Sequence, residues 1–487
     1  MNLTRYGPAG GGLVESPEGQ QLLKAIQAGS GAGLASTGGR SIVVEDLETI
    51  LKVLTYGLPQ FKATLWNILK EKAVPATGIM HEYPSIVGRG RTGFFGPEIA
   101  NVNTLDAKLK RGYGQVRFMR AIVEWSHVIG MVQKVANHRS IQMTNATLAM
   151  MAALEAGFYE GDNGIVPDEG DGLYKLVKAN APNNIINLNG VAPTKANFLN
   201  AAQIINSNMG HVSHQFTSLP MQAFLDNLFE GDKDRIVLTQ IGNSMVPVAA
   251  SQIVGQGIMY GAPIAGLRTS FGNIMFHSHL FTRLPKNVYT DEITGAEAAT
   301  STLAPATPTF VPTQAADALS SLEAGIFRYR VAAENDAGES IAAVAQTITV
   351  AAANTNHVLI SITSGGGANL PTGYRIYRST PGGAAGSEEL IARVADGFAE
   401  PAHTPVAAGT ATYTDNDQRS AGTHRIYIAD LVSPGEMSAM GWAQLAPMGS
   451  YELPMNPTSY RELVFLYGVL VLYAASRVVI LDNCAAQ

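Results

Sequence analysis

The sequence predicts an α+β protein interrupted by an all-β inserted segment. Three observations predict it. The amphipathic run Asn137 to Tyr159 is long enough to be a principal helix. Strand-like stretches elsewhere follow no steady βαβ rhythm. Between about 288 and 422 the composition turns to Ala, Thr, Gly and Ser in alternating strands and turns, and then reverts to its earlier style.

The 487 residues allow two to four domains. Hydrophobic residues are 46%, ordinary for a globular chain, but charged residues are only 15% against a norm of about 25%. Few charges on a normally apolar chain suggest surface hidden against other subunits. A net charge of −6 argues against a wholly basic nucleic-acid binder. The single cysteine, Cys484, excludes a disulfide framework or a zinc knuckle within the chain. The N-terminus lacks a basic stretch followed by an apolar run, so no signal peptide is expected. The longest uncharged apolar run, Leu463 to Ser476, falls short of the roughly 20 residues of a membrane helix. A soluble, cytosolically made protein is expected.

Residues 1–45 read as a Gly/Ser/Ala-rich arm. Within it, Gly29 to Gly39 lacks the third glycine of a dinucleotide loop and the Gly-Lys-Ser/Thr of a phosphate loop. Residues 46–74 read as two amphipathic helices, one carrying Leu47, Ile50, Leu51 and Leu54, the other Phe61, Leu65, Ile68 and Leu69. Residues 75–125 hold three prolines, seven glycines and the run GRGRTGFFG, then alternate from Gln115 onward. That combination predicts a long projecting hairpin. The helix Asn137 to Tyr159 places Met143, Thr147, Met150, Met151, Leu154 and Phe158 on one face, as core; it centres the span 126–174. Thr194 to Met209, with a Thr cap, and Ser218 to Phe229 read as helices within 175–265. Strands are expected at 235–240, 273–281 (returning through 266–287) and 425–431. The apolar run 468–481 within 423–487 suits a buried strand pair.

The segment 288–422 carries 14 Asp/Glu and 6 Lys/Arg, a net of −8, so the rest of the chain totals +2. An acidic, all-β stretch that begins and ends within another fold's style is the mark of a domain inserted in a surface loop. Its runs GIFRYRVAAENDAGES (325–340), GYRIYRST (373–380), ELIARVA (389–395) and TATYTDND (410–417) resemble an immunoglobulin/fibronectin-III-like β-sandwich. Such modules mostly bind or space.

The remaining chain resembles the major capsid proteins of tailed bacteriophages, of the Hong-Kong-ninety-seven-like fold. The resemblance lies in order: arm, Gly/Pro-rich extended loop, long spine helix, the motif FYEGDN…PDEGDGLYKLV (158–177), a helical axial region, then YIADL (427–431) and a closing apolar strand. The chain departs from the pattern in Glu-Gly-Asp after Tyr159 and in the insert. The resemblance implies a non-enzymatic subunit that assembles with itself into hexamers and pentamers of an icosahedral head around double-stranded DNA. It also implies scaffold, portal and decoration proteins as partners, location in the virion after assembly in host cytoplasm, and an outward insert able to touch host surfaces or glycans. An encapsulin-type bacterial compartment shell is an alternative on the same fold. From another class, the alternative is a secreted glycan-acting enzyme with a fibronectin-like module, which requires a signal peptide and a carboxylate pair.

Candidate sites follow from residue type. Arg89 and Arg91, set among glycines beside Phe94 and Phe95, suit contacts with a neighbouring subunit's carboxylates. The acidic turn with Asp162, Asp168 and Asp171 lacks calcium-loop spacing and reads as a solvated turn or an intersubunit ion-pair site. His211 with His214, at helical-turn spacing, and His277 with His279, on one strand face, each lack a third metal ligand. No nucleophile elbow, paired-His zinc motif or Walker loop occurs, and no catalytic residue, metal or cofactor is expected.

Overall fold

The computed structural model describes residues 64–88, 107–127, 138–230, 235–241, 244–249, 264–278, 290, 295–431, 438–456 and 458–486. Apart from His138 they belong to one contact unit, Leu58–Gly130 with Arg139–Gln487. Helix α1 (Thr64–Glu71) precedes β1 (Val74–Pro75), β2 (Met80–Gly88), β3 (Lys108–Gln115) and β4 (Arg117–Ser126). Then come α2 (His138–Glu160), α3 (Leu173–Asn180), β5 (Ile185–Asn187), α4 (Lys195–Ser207), β6 (His214–Thr217), α5 (Leu219–Leu228), β7 (Arg235–Ile241), β8 (Ser244–Ala249), β9 (Ile264–Thr269) and β10 (Gly272–Ser278). The inserted segment holds β11 (Thr309–Ala316), β12 (Gly325–Asn335), β13 (Gly338–Glu339), β14 (Gln346–Val350), β15 (Asn356–Thr363), β16 (Gly373–Arg378), β17 (Glu389–Ala395), β18 (Phe398–Glu400), β19 (Thr404–Pro405) and β20 (Thr410–Asp415). The chain ends with β21 (His424–Ala429), β22 (Met440–Asn456), β23 (Ser459–Leu472) and β24 (Val478–Cys484).

Helix α2 has 23 residues and spans about 34 Å at 1.5 Å per residue. Its Met150, Leu154, Phe158 and Tyr159 are buried in one cluster with Leu65, Trp66 and Leu69 of α1, Leu173 and Val177 of α3, and inward residues of two sheets. The first sheet has the order β1-β22-β23-β4, with β23 antiparallel to both long neighbours. The second has eight strands, β5-β24-β21-β6-β10-β9-β7-β8. Strand β21 shows why this sheet is buried on both faces. Tyr427 and Ala429 enter the α2 cluster, whereas Ile426 and Ile428 enter a separate core under α4 and α5. Strands covered on both faces carry continuous apolar runs, as 426–429 of β21 and 478–481 of β24 do. Helix α4 buries Phe198, Ala201, Ala202 and Ile205, one face at helical spacing, and the Thr194 amide donates to Asn197 Oδ1 at 2.8 Å where the helix begins.

Strands β2 and β3 pair antiparallel as a hairpin. Its base rests on β23, and Tyr83 lies 5.0 Å, edge to face, from Tyr473 just beyond the end of that strand. The insert forms two sheets, β11-β15-β20-β18-β19 and β13-β12-β16-β17 with β14 also on β12. They enclose their own core of Phe327, Tyr329, Val331, Val358, Ile360, Tyr374, Ile376 and Tyr413, among others. At its edge the buried Asp415 accepts from Tyr329 Oη at 2.7 Å and pairs with Arg378 Nη1 at 2.7 Å.

Two expectations need correction. The run 468–481 is not a strand pair. It is the end of β23, a turn, and β24; β23 lies between β22 and β4, whereas β24 lies between β21 and β5. Apolar composition reported burial on both sides of the turn, not pairing across it. His211 and His214 are not on a helix either, since α4 ends at Ser207 and His214 opens β6. The arm 1–45, the expected helix at 46–56 and His279 lie outside the described residues.

Gly468 of β23 is required by Trp442. A Cβ there would meet the indole Cζ2 at 2.2 Å. Gly468→Ala is expected to destabilise the protein by about 1–3 kcal/mol through overpacking, read as a lowered denaturant midpoint with unchanged m-value.

Candidate functional site

The acidic turn after α2 is folded tightly on itself. The Gly172 amide donates to Gly161 O at 2.8 Å, and a Cβ on Gly172 would meet Gly161 N at 2.6 Å, so the two ends of the turn are back to back. Asp162 and Asp171 do not face solvent as a free pair. The Lys175 ammonium lies 2.5 Å from Asp162 Oδ1 and 2.8 Å from Asp171 Oδ1, and also donates to Asn163 Oδ1 at 2.5 Å. Asp162 Oδ1 accepts the Gly164 amide as well. A cation from the chain's own next helix thus occupies the position between the two carboxylates. Asp168 is exposed. Among the described residues no group of three or more His, Cys, Asp or Glu has metal-holding geometry.

The turn is also a seat for the sandwich. Glu169 Oε2 pairs with Arg393 Nη2 of β17 at 2.9 Å, and Arg393 Nη1 donates to Glu160 O at 3.2 Å. Arg393 Nε then meets Glu334 Oε1 at 2.9 Å, and Arg375 Nε meets Glu334 Oε2 at 2.6 Å. Glu160, the last residue of α2, accepts from Arg419 Nη2 at 2.9 Å and Arg425 Nη1 at 3.1 Å. Arg425 Nε reaches Asp482 of β24 at 2.7 Å, and its guanidinium lies 3.6 Å from the centre of the Tyr174 ring. Charge therefore alternates from the sandwich through the turn into the eight-stranded sheet. Burial alone would push the Glu334 carboxyl up; Arg375 and Arg393 overcome it and hold it down at about 2.

Beside this seam lies a cavity of about 600 Å³. It is lined by Ala146, Ala153 and Gly157 of α2, by Trp442 and by residues 334–339.

A second polar group sits inside the eight-stranded sheet. The rings of His214 and His277 stack at 5.2 Å and 11°, and Phe216 stacks on His277 at 5.3 Å. Burial, then the neighbouring His277 and Lys72, push the His214 imidazole down to about 4, with Asp430 opposing. Burial pushes the Cys484 thiol up, so it is a poor nucleophile.

Arg89, Arg91, Phe94 and Phe95 lie outside the described residues. The flanking hairpin is described, and its Leu109 and Tyr113 are 71% and 72% exposed. Register places them on one face with Arg111, which pairs across the hairpin with Glu82 at 3.2 Å. The outer face of the first sheet carries a row of rings: Phe118 to Tyr467 at 5.1 Å, Tyr467 to Phe465 at 5.3 Å, and Phe465 to Tyr451 at 5.7 Å.

Sequence reasoning found the acidic turn but not its partners Arg393, Arg419 and Arg425. One signal was available: all six basic residues of 288–422 are arginines, the residue suited to buried forked pairing.

No protein-family pattern and no curated protein matches the chain. Among solved structures, the encapsulin complex of Synechococcus elongatus is similar at 8% identity and a TM-score of 0.40, over 94% of this chain and 98% of that one. The capsid of a native GTA particle is similar at 10% identity and 0.43, over 93% and 99%. A chain of Gordonia phage Cozz is similar at 8% identity and 0.41, over 93% and 96%.

Two measurements test the electrostatics. Arg393→Met strands the buried Glu334 and Glu169 with one cation fewer and is expected to destabilise the protein by about 3–5 kcal/mol, with partial recovery when Glu334→Gln is added, read by a double-mutant cycle. For His214, the unfolded imidazole binds a proton near 6.5 that the folded one refuses until about 4. Its contribution is full above 6.5 and drains as pH falls toward 4. His214→Phe is expected to flatten the fall in denaturation midpoint across that window.

Proposed function

We propose that the chain is a structural shell subunit whose copies assemble into hexamers and pentamers of an icosahedral phage head enclosing double-stranded DNA. In this reading residues 1–45 are an arm, 75–125 an extended loop, 126–174 the spine helix and peripheral region, 175–265 the axial region, and 266–287 with 423–487 the rest of the core. Residues 288–422 are an immunoglobulin/fibronectin-III-like domain on the outer surface. Arg89, Arg91, Phe94 and Phe95 are intersubunit contacts. Scaffold and portal proteins are partners, decoration proteins and host glycans are further ones, and the virion is the final location.

The observation that carries the reading is the exposure of two large side chains on the described part of the hairpin. Leu109 and Tyr113 stand exposed on one face of a two-stranded arm, and a hairpin of two strands is marginal in water unless something packs on it. Copies of the same chain, repeated by symmetry, cover such a face without a second gene product. The low share of charged residues supports the same reading. The insert's two antiparallel-rich layers over one core, with the VAAEN and YRIYR strands β12 and β16 side by side, support the sandwich assignment.

The test is sedimentation of the purified chain followed by electron microscopy. Capsomers or closed particles are expected; a monomer at all concentrations overturns the reading. Nuclease-protected DNA in particles from infected or lysogenic cells is expected, and protein cargo in its place favours the compartment alternative. Leu109→Asp with Tyr113→Ser is expected to abolish particles while the circular dichroism of the folded subunit is unchanged.

A further inference from the structure

Glu155 is fully buried on α2. Its Oε1 accepts the Leu65 amide at 2.9 Å, and its Oε2 accepts the Trp66 amide at 3.0 Å. The Tyr159 hydroxyl lies 3.4 Å from Oε1. Leu65 and Trp66 stand in the first turn of α1, where amides have no partner inside the helix. A carboxyl ninety residues away in sequence therefore caps α1, and it ties α1 to α2 alongside the contact of Tyr159 with Thr64 and the apolar packing.

The groups around it come from three elements. Tyr159 belongs to α2, Leu65 and Trp66 to α1, and behind Tyr159 stands Tyr427 of β21 at 5.0 Å. Among the described residues no Lys, Arg or His acts on the carboxyl. Its anion is stabilised by the two amides at the positive end of α1 and by the Tyr159 hydroxyl, not by a side-chain cation. Burial pushes the carboxyl up to about 7, the two amides and Tyr159 drawing it only part of the way back.

We propose that Glu155 is a proton-operated latch between α1 and α2: the neutral acid keeps α1 docked, and the anion, which regains hydration on leaving, loosens that docking as the solution becomes less acidic. The direction follows from linkage. The docked carboxyl holds its proton up to about 7, the undocked one only to the ordinary value of 4.5. Docking is therefore tightest below 4.5, weakens through 7, and is flat above. At tenfold per pH unit the range is on the order of 100-fold. The Trp66 ring, 5.4 Å edge to face from Trp442 and 6.4 Å from Phe158, moves with α1. The latch sets how firmly α1 itself is held against α2. The inference stands whether or not the shell reading does.

The test is hydrogen exchange of the peptide covering 64–72 in the full chain, corrected for intrinsic rate, from about pH 5 to about pH 8. The opening equilibrium of α1 is expected to rise on the order of 30- to 100-fold, relative to the β21 peptide, with a midpoint near 7. Glu155→Gln is expected to remove the slope. Because that variant also replaces an acceptor by a donor and can misfold, two further readouts are used. Infrared difference spectra with labelled glutamate are expected to show one carboxyl titrating near 7 in the wild type. Tyr159→Phe, which removes a bond to the anion, is expected to move the midpoint upward. A flat wild-type profile, an unchanged slope in folded Glu155→Gln, an unmoved midpoint in Tyr159→Phe, or no carboxyl titrating above about pH 6 overturns the proposal.

Discussion

Three consecutive side chains at the end of one helix hold three bodies together. Phe158 meets Trp442 of the first sheet at 5.5 Å, Tyr159 meets Tyr427 of the eight-stranded sheet at 5.0 Å, and Glu160 receives Arg419 from the end of the sandwich segment. A helix turns by about 100° per residue, so neighbours in sequence point to different sides. The sheets need not touch one another extensively to be fixed in relation, because each is keyed to the same rigid rod. The geometry of the seam, the cavity beside it and the packing of α1 all depend on this convergence.

The seam is electrostatically expensive to break and modest in net stabilisation. Burying arginines and carboxylates costs hydration, and pairing returns about as much. What such an arrangement secures is orientation. Glu334 is met by two guanidinium groups from different strands, and one of these, Arg393, also reaches the acidic turn. A sandwich attached by its two chain ends alone would be free to tilt; one tied additionally at Glu160 and Glu169 is not. The acidic residues that looked from the sequence like a solvated surface or a place for a neighbour are in part the socket for Arg393 and Arg419.

Legibility in the sequence tracked the locality of the cause. The apolar spacing of Met150, Leu154 and Phe158 marked α2 to within one residue at each end, and Thr194 marked the start of α4, because both signals lie within a few residues of what they determine. The alternating runs 325–340, 373–380, 389–395 and 410–417 marked β12, β16, β17 and β20, since alternation along each strand follows which side chains face its core. Other features depend on distant partners. Whether 468–481 was one strand pair or two strands in different sheets was decided by β21 and β22, which periodicity does not reveal. Glu160 and Arg425 are 265 positions apart, and Glu155 caps a helix 90 positions upstream. In each case residue type gave the chemistry and only the fold supplied the partner.

One consequence concerns the sandwich's outer surface. Each of its six arginines is engaged: Arg328 with Gly383 O, Arg330 with Glu297, Arg375 with Glu334, Arg378 with Asp415, Arg393 with Glu169 and Arg419 with Glu160. The last lysine of the chain is Lys286. Five of the six lie against carboxylates, so the segment's net charge of −8 disfavours close approach of two such surfaces, a repulsion that weakens as salt is added.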